Sequence, residues 1–336
     1  MAAATKVLVV DDSLTMRALI SGALERIPNV EVVGLADGAD EARALTAQLN
    51  PHVLTLDVEM PGMSGLDYLA EVMETRPIPV IMFSTRTEAG AEASVEALRL
   101  GAIDCFPKPR VASPAELDKI IVKLGKRSKA ARGADVRGPG TAPVRAAAAL
   151  DWNGRPLAIG ADASNTKALF DLFAAFPANC PPTVVVQHLG AGLIETMAAR
   201  LAAEIAPRVV IAADGMAVEQ GTIYLAPPGD AHVVLDGWPN GRLRLLARDP
   251  VAGERPSISV LFASVAKAAG PDTVALLLSP AGEDGAAGVR ALSAAGSYML
   301  VPADDRKPGF TLSRKMASQP VAPADLAPSV LKLVGR

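Results

Sequence analysis

The sequence predicts two α/β domains in one chain of 336 residues, each built around a mostly parallel sheet. Short apolar runs alternate with segments of helical period, and a stretch at 126–150 interrupts the alternation. A chain of this length also has room for about two domains. We therefore predict a first domain at 1–125, a linker at 126–150 and a second domain at 151–336.

The first domain is predicted from five consecutive strand–helix units, which indicate a doubly wound parallel sheet. Ser13 is a good N-cap for the first helix, and Gly101 ends the fourth. The predicted strands span 6–10, 30–35, 53–57, 80–84 and 104–106. The predicted helices span 14–26, 39–49, 64–75, 89–100 and 113–124.

The second domain repeats the alternation, with predicted strands at 157–161, 183–187, 274–279 and, as the last one, 298–301. Its predicted helices span 168–176, 193–205, 258–268 and 288–294. Gly and Pro separate short apolar runs at 209–212, 222–226, 233–235 and 243–246. Such runs favour a small β-hairpin excursion over further strand–helix units.

Composition indicates an ordinary soluble globular protein, with 50% hydrophobic residues, 21% charged residues and a net charge of −3. This balance makes no electrostatic case for a nucleic-acid partner. Cys105 and Cys180 are too few for a disulfide framework and lack metal-ligand spacing, so we expect reduced thiols. Neither a signal core nor an apolar run of membrane-spanning length is present. We expect a cytoplasmic protein without membrane insertion.

The linker is basic, with one acid, Asp135, among Gly, Pro, Ala and six cations. A basic tract can bind nucleic acid or anionic lipid, but this one has no interleaved aromatic residues. A solvated interdomain linker is the better interpretation. The cations are Lys126, Arg127, Lys129, Arg132, Arg137 and Arg145.

Polar residues follow the strands of the first domain at one edge of the predicted sheet. Asp11 and Asp12 follow the first strand, Asp57 ends the third, Ser84 ends the fourth and Lys108 follows the fifth. Three crowded carboxylates favour a hard cation, for which Mg²⁺ is the natural candidate. A lysine and a hydroxyl complete a cradle for a phosphoryl group on the nucleophile Asp57. The alternative, solvated loop acids, requires five coincidences at one edge.

These residues, the LDVEMPGMSGL segment around Asp57 and the Pro107-Lys108-Pro109 turn resemble the receiver domain of bacterial response regulators. The resemblance implies a flavodoxin-like (βα)5 fold, in which Asp57 accepts phosphate from a histidine kinase of CheA type. It also implies that Ser84 and Lys108 contact the phosphoryl group. The implied Mg²⁺ ligands are Asp11, Asp12, Asp57 and the backbone carbonyl of Glu59. One departure is Cys105, three residues before the lysine, where receivers usually carry an aromatic switch residue; here Phe106 comes one position later.

The second domain contains five segments that together resemble the catalytic domain of the chemotaxis protein-glutamate methylesterase (CheB) family. The order of receiver, basic linker and esterase-like domain agrees with this resemblance. The segments are Ala158-Ile159-Gly160-Ala161, Val185-Val186-Gln187-His188, Tyr224-Leu225-Ala226-Pro227, Arg255-Pro256-Ser257 and the GEDGAAG run at 282–288.

In that family a Ser-His-Asp triad hydrolyses glutamate methyl esters on chemoreceptors and deamidates certain glutamines. The resemblance places the histidine at His188 and the aspartate at Asp284, and it implies that the backbone amides of Ala163 and Ala281 form the oxyanion hole. The family's serine is absent, because its position is occupied by Asp162. The cytoplasmic helices of chemoreceptors are the implied partners of this domain.

Further departures lie around the same pocket. The family's Gly-Gly pair is Ser164-Asn165, and its Thr-Gly-Met-Gly segment is Ser279-Pro280-Ala281-Gly282. Pro280 removes an N–H beside the expected oxyanion hole. The later Phe-Gly-Met-Pro segment is not recognisable after Asp304-Asp305. These changes predict a domain released from catalysis that works by phosphorylation-controlled binding.

The altered pocket allows three states. The favoured one is an ion pair between Asp162 and a protonated His188, which would be unable to act as a base. In the second, Ser164 replaces the lost nucleophile after a shift of its loop, and the domain remains an active methylesterase and deamidase. In the third, Asp162 attacks the ester itself and forms a mixed anhydride.

Overall fold

The computed structural model describes residues 4–85, 87–108, 149–190, 192–278, 284–304, 307–314 and 317–336. The chain divides into two compact units, Met1–Gly138 and Pro139–Arg336, so the division falls within the predicted linker. The predicted helix at 113–124 and almost all of the linker lie outside the described residues. In the described ranges, none of the helices has the length and apolarity needed to cross a membrane.

The first unit is a parallel sheet of five strands in the order β2-β1-β3-β4-β5, as the doubly wound prediction requires. The strands are β1 (Thr5–Val10), β2 (Val30–Ala36), β3 (Val53–Asp57), β4 (Val80–Ser84) and β5 (Asp104–Pro107). The helices between them are α1 (Leu14–Glu25), α2 (Ala39–Leu49), α3 (Gly65–Thr75) and α4 (Glu88–Leu100). This order puts the carboxyl ends of β1, β3, β4 and β5 side by side, where open sheets bind ligands.

Local sequence fixes where the helices of this unit begin and end. The hydroxyls of Ser13, Ser64 and Thr87 cap α1, α3 and α4, each accepting from a backbone N–H in the first turn. Gly101 ends α4 with a φ of 114°, a conformation that favours glycine. At Gly65, an added Cβ would lie 1.8 Å from the carbonyl oxygen of Asp57. The start of α3 therefore approaches the end of β3 more closely than any side chain would allow.

The second unit is an eight-stranded sheet in the order β15-β14-β13-β12-β6-β7-β9-β8, with a separate antiparallel pair, β10 and β11. The main-sheet strands are β6 (Leu157–Asp162), β7 (Thr183–His188), β8 (Arg208–Ile211), β9 (Thr222–Leu225), β12 (Val274–Leu277), β13 (Tyr298–Asp304), β14 (Lys307–Arg314) and β15 (Ala317–Val321). The pair consists of β10 (His232–Leu235) and β11 (Leu243–Leu246). The helices are α5 (Thr166–Ala174), α6 (Leu193–Glu204), α7 (Ile258–Ala269), α8 (Ala286–Ala295) and α9 (Leu326–Val334).

Helix α7 lies at the centre of the second unit. Ile258, Leu261, Phe262 and Val265 are buried in one cluster with side chains of the sheet and of the β10–β11 pair. Burying a side chain of this size stabilises the fold by about 1.5–3 kcal/mol. A Cβ on Gly160 of β6 would lie 2.3 Å from Ile258 Cγ2, so the helix N-terminus lies directly on the sheet. The first turn of α7 is thereby brought close to the ends of β6 and β7.

The α/β fold class predicted for both domains is confirmed, but two details of the second domain were wrong. Only β10 and β11 form the predicted hairpin excursion, whereas β8 and β9 pair in parallel with the main sheet. Four-residue strands carry too little periodicity to distinguish the two arrangements. Tyr298–Asp304 is also not the last strand, because β14, β15 and α9 follow it. Pro308 and Pro320 interrupt those strands in the sequence and concealed their pattern.

Candidate functional sites

The first candidate site lies beyond the carboxyl ends of β1, β3, β4 and β5. The backbone N–H of Lys108 donates to the carbonyl of Ser84 at 2.8 Å, which fixes the chain after β5. From there Lys108 Nζ donates to Asp57 Oδ2 at 2.6 Å and lies 3.9 Å from Asp11 Oδ2. The structure thus brings together the predicted lysine and the predicted phosphoacceptor.

The acids of this site fit a hard divalent cation. Carboxylate oxygens of Asp11, Asp12 and Asp57 lie within 4.8 Å of one another. Asp11 and Asp57 are buried, and Asp11 Oδ2 has no hydrogen-bond donor among the described residues. A buried oxygen without a donor requires an explanation, and a bound cation is one. Glu59 lies at the same place, since its N–H donates to Asp57 Oδ1 at 3.2 Å.

Burial shifts the titration of these groups. It raises the pKa of Asp57, although the Lys108 ammonium and the Glu59 amide act in the opposite direction. It raises the pKa of Asp11 to about 6, an effect that the Ser13 amide opposes and the Asp57 charge increases. Burial alone would lower the pKa of Lys108, but the adjacent carboxylates outweigh it and the net shift is upward. The positive charge of the Lys108 ammonium does not balance the negative charges of the three carboxylates. A divalent cation bound between them would supply the difference.

Ser84, the last predicted member of this site, lies at the same edge and is buried. Its hydroxyl is 2.8 Å from the hydroxyl of Ser94, which belongs to α4. Ser94 was not identified from the sequence, because a serine within a helix gives no signal of a partner on a distant strand.

The second candidate site is built on the first turn of α7. Asp284 Oδ1 accepts from the Ser257 hydroxyl at 2.8 Å and from the N–H groups of Ser259 at 2.9 Å and Gly285 at 2.8 Å. Its Oδ2 accepts from the Ile258 N–H at 2.6 Å. Burial alone would raise the pKa of Asp284, but His188 and these donors lower it far below its ordinary value. Asp284 is therefore a fixed, ionised group.

His188, at the end of β7, is oriented by two acceptors. Its Nε2 is 3.0 Å from the carbonyl oxygen of Pro256 and 3.4 Å from Asp284 Oδ2. Burial by itself would lower the pKa of His188. The Asp284 carboxylate, the charge of Glu254 and the Pro256 carbonyl outweigh burial, so the pKa is raised. The imidazole is thus held towards its protonated form.

Asp162 ends β6 in register with His188 on β7 and is buried. Its Oδ1 accepts from the N–H of Ser164 at 3.0 Å and from the Ser164 hydroxyl at 2.5 Å. The predicted Asp162–His188 ion pair stays a prediction, while the carboxylate oxygen that lies 3.4 Å from His188 Nε2 belongs to Asp284. Ser164, two residues along the chain, reaches Asp162 in a tight turn at little entropic cost.

The predicted oxyanion donors remain predictions. Ala163 is buried in the single 3₁₀ turn that follows Asp162. Ala281 lies outside the described residues, as do Ser279, Pro280 and Gly282. Sequence reasoning missed the part of Ser257 and Ser259 in holding Asp284, although Ser257 precedes an apolar helical run and so carried an N-cap signal.

The cradle of Asp284 predicts a pH-dependent contribution to stability. Asp284→Asn should lower the free energy of unfolding of the second unit by about 2–4 kcal/mol near pH 7, because an amide N–H₂ would face the Ile258 N–H. Since the folded pKa is lowered, this contribution is present above the ordinary carboxyl value and is lost as the pH falls below about 4. Urea titrations followed by the fluorescence of Trp152 and Trp238 would measure it.

A control for this prediction is Asp272→Asn, which changes an exposed carboxylate of the same unit. It should change the free energy of unfolding by less than about 0.5 kcal/mol. Equal effects of the two substitutions, or an Asp284→Asn effect that persists unchanged at pH 3, would contradict the cradle. The His188 contribution has the opposite sign of pH dependence, because its raised pKa stabilises at low pH and is lost as the pH rises through that pKa.

Comparison with known proteins agrees with this geometry. The response regulator receiver domain family matches residues 7–121, and the CheB methylesterase family matches residues 157–327. A relative from Caulobacter vibrioides, named protein-glutamate methylesterase/protein-glutamine glutaminase 1, is 44% identical over 88% of this chain and 86% of its own length. A relative of the same name from Rhizobium johnstonii is 43% identical over 89% of this chain and 86% of its own length.

Among solved structures, the catalytic domain of the Thermotoga maritima CheB methylesterase is 28% identical, with a TM-score of 0.42, covering 44% of this chain and 78% of that one. The relatives cover both units of the chain at an identity that establishes common descent. The chain therefore belongs to the CheB methylesterase family and carries a response regulator receiver domain before its methylesterase-type domain.

Proposed function

We propose that this chain is a response regulator of chemotaxis-type signalling that is phosphorylated on Asp57 and whose methylesterase-type domain works by binding. The observation that supports phosphorylation of Asp57 is the contact of Lys108 Nζ with Asp57 Oδ2, beside a cluster of acidic side chains. A histidine kinase of CheA type is the proposed phosphodonor. The family to which the chain belongs supports this choice.

The proposed transfer follows from the groups at this edge. The Asp57 carboxylate attacks the phosphorus of a phosphohistidine, the O–P bond forms, and the N–P bond to the imidazole breaks. Lys108 Nζ is already 2.6 Å from Asp57 Oδ2, the side of the carboxylate on which it would bind an oxygen of the transferred group. Mg²⁺, held by Asp11, Asp12, Asp57 and the Glu59 carbonyl, would neutralise negative charge on the phosphoryl oxygens.

The second half of the proposal rests on Asp162, which stands where the family has its nucleophilic serine. Asp162 repels an oxyanion and places a second carboxylate near the pocket of His188 and Asp284. In subtilisin, loss of the serine alone costs on the order of 10⁶ in rate. We infer that this domain does not hydrolyse esters.

The second candidate function is an active methylesterase and glutaminase, and the names of the curated relatives favour it. It needs a replacement nucleophile, for which the sequence offers Ser164, two residues after Asp162. That hydroxyl donates to Asp162 Oδ1 at 2.5 Å. A buried carboxylate is a weak base for a serine, so this contact supports the binding function rather than the hydrolytic one.

Phosphorylation-controlled binding has a direct test. Beryllofluoride with Mg²⁺, which mimics a phosphoryl group on a carboxylate, should raise the affinity of the full chain for a labelled peptide from the methylated cytoplasmic helix of a chemoreceptor. We expect an increase of about tenfold, a typical coupling between two sites, measured by fluorescence anisotropy.

The matched control is Asp57→Asn, which should bind the peptide with the affinity of the untreated chain whether or not beryllofluoride is present. An untreated chain that binds as tightly as the treated one would contradict phosphorylation control. Release of methanol from the peptide during the titration would instead favour the hydrolytic function.

A further inference from the structure

A buried hydroxyl pair joins the first candidate site to α4. Ser84 at the end of β4 and Ser94 within α4 are 5% and 2% exposed, and their Oγ atoms are 2.8 Å apart. Ser94 Oγ also donates to the carbonyl of Gly90 at 2.7 Å. A serine hydroxyl has one proton, so Ser84 is the donor in the Ser84–Ser94 bond.

This arrangement makes α4 and a phosphoryl group competitors for one proton. A phosphoryl group on Asp57 presents only acceptor oxygens at the sheet edge where Ser84 lies. Ser84 cannot donate to a phosphoryl oxygen and to Ser94 at the same time. The bond to a charged oxygen is about twice as strong as one between neutral hydroxyls, so the phosphoryl group prevails.

Ser94 also accepts a hydrogen bond from β5. Cys105 Sγ donates to the carbonyl of Ser94 at 3.4 Å. Near the N-terminus of the same helix, a Cβ on Gly90 would lie 2.2 Å from the carbonyl oxygen of Thr85, so α4 packs tightly on the loop that leaves β4. Loss of the Ser84–Ser94 hydrogen bond would therefore alter the packing of α4 at its tightly packed N-terminal end.

We propose that Ser94 is a positioning residue of the phosphoryl site, which holds the Ser84 hydroxyl on α4 until phosphorylation of Asp57 takes it away. This inference rests on the proposed phosphorylation of Asp57. The hydroxyls of Ser84 and Ser94 would then transmit the change at Asp57 to α4. In this chain Cys105 occupies the position where receivers usually carry an aromatic switch residue. Ser94 acts through Ser84 and does not itself contact the phosphoryl group.

Ser94→Ala tests the inference in the full chain, with beryllofluoride and Mg²⁺ as the probe in isothermal titration calorimetry. Removal of the competing hydroxyl should tighten beryllofluoride binding about fivefold, the size of one neutral hydrogen bond. Ser94→Thr retains the hydroxyl and should bind as the unsubstituted chain does. Ser21→Ala, which changes another helical serine of the same unit, should also leave binding unchanged.

A double-mutant cycle separates positioning from a general effect on packing. With Ser84→Ala in place, the further change Ser94→Ala should no longer alter beryllofluoride binding. Amide exchange of α4 should rise when beryllofluoride binds the unsubstituted chain, and in Ser94→Ala it should already be raised without it. A tightening that persists in the Ser84→Ala background would overturn the inference.

The cycle also distinguishes this inference from the function on which it rests. Equal binding by the unsubstituted chain and Ser94→Ala, at an affinity that Asp57→Asn abolishes, would remove the role of Ser94 and leave phosphorylation of Asp57 intact. Absence of binding by the unsubstituted chain would instead remove the proposed phosphorylation, and the inference with it.

Discussion

Asp57→Asn is expected to abolish labelling of the chain by radioactive acetyl phosphate in the presence of Mg²⁺, a loss of at least about 100-fold. The amide oxygen of asparagine is not a nucleophile towards phosphorus, and the amide nitrogen would also face Lys108 Nζ, which now donates to Asp57 Oδ2 at 2.6 Å. Labelling is measured as acid-stable, hydroxylamine-sensitive radioactivity on the full chain.

Two controls define this result. Asp37→Asn changes an exposed carboxylate of the same unit and should label as the unsubstituted chain does. Chelation of Mg²⁺ should suppress labelling of the unsubstituted chain, because Asp11 and Asp57 would then face the phosphoryl charge with Lys108 alone. Labelling that survives Asp57→Asn would show that another residue is the acceptor and would remove the receiver function proposed for this unit.

The first site was predictable because its residues are ordered by the sheet. The carboxyl ends of parallel strands lie at one edge of the sheet. Once the strands are predicted, Asp11, Asp57 and Lys108 are therefore expected to lie close together. The contact between Ser84 and Ser94 was not predictable in this way. It depends on the rotation of α4 against β4, which short apolar patterns do not determine.

The second site shows the same division. The strand ends that carry Asp162 and His188 were predicted within one residue. The hydrogen-bond donors to Asp162 and Asp284 were not predicted, because they lie in local turns rather than at strand ends. Ser164 is adjacent to Asp162 in the turn, and the first turn of α7 points its free N–H groups at Asp284, which lies beside His188.

The strongest prediction for the second unit is an absence of esterase activity. The full chain should release no methanol above background from methylated chemoreceptor, whether or not beryllofluoride is present. The serine nucleophile is absent, and such a loss costs on the order of 10⁶ in rate in a comparable triad. Gas chromatography of released methanol measures the rate, with one of the curated methylesterase relatives as the positive control. Release that Ser164→Ala removes would establish Ser164 as the nucleophile and the chain as an active esterase.

Restoring the serine alone should recover little activity. Asp162→Ser supplies the hydroxyl, but the expected oxyanion hole still carries Pro280, which has no N–H to donate. Ser164 and Asn165 also occupy the positions of the family's two glycines, where a backbone must approach the substrate. The triple variant Asp162→Ser/Ser164→Gly/Asn165→Gly should therefore exceed Asp162→Ser at least about tenfold in methanol release. Full activity from Asp162→Ser alone would show that one substitution accounts for the loss, and that the altered loop imposes no barrier.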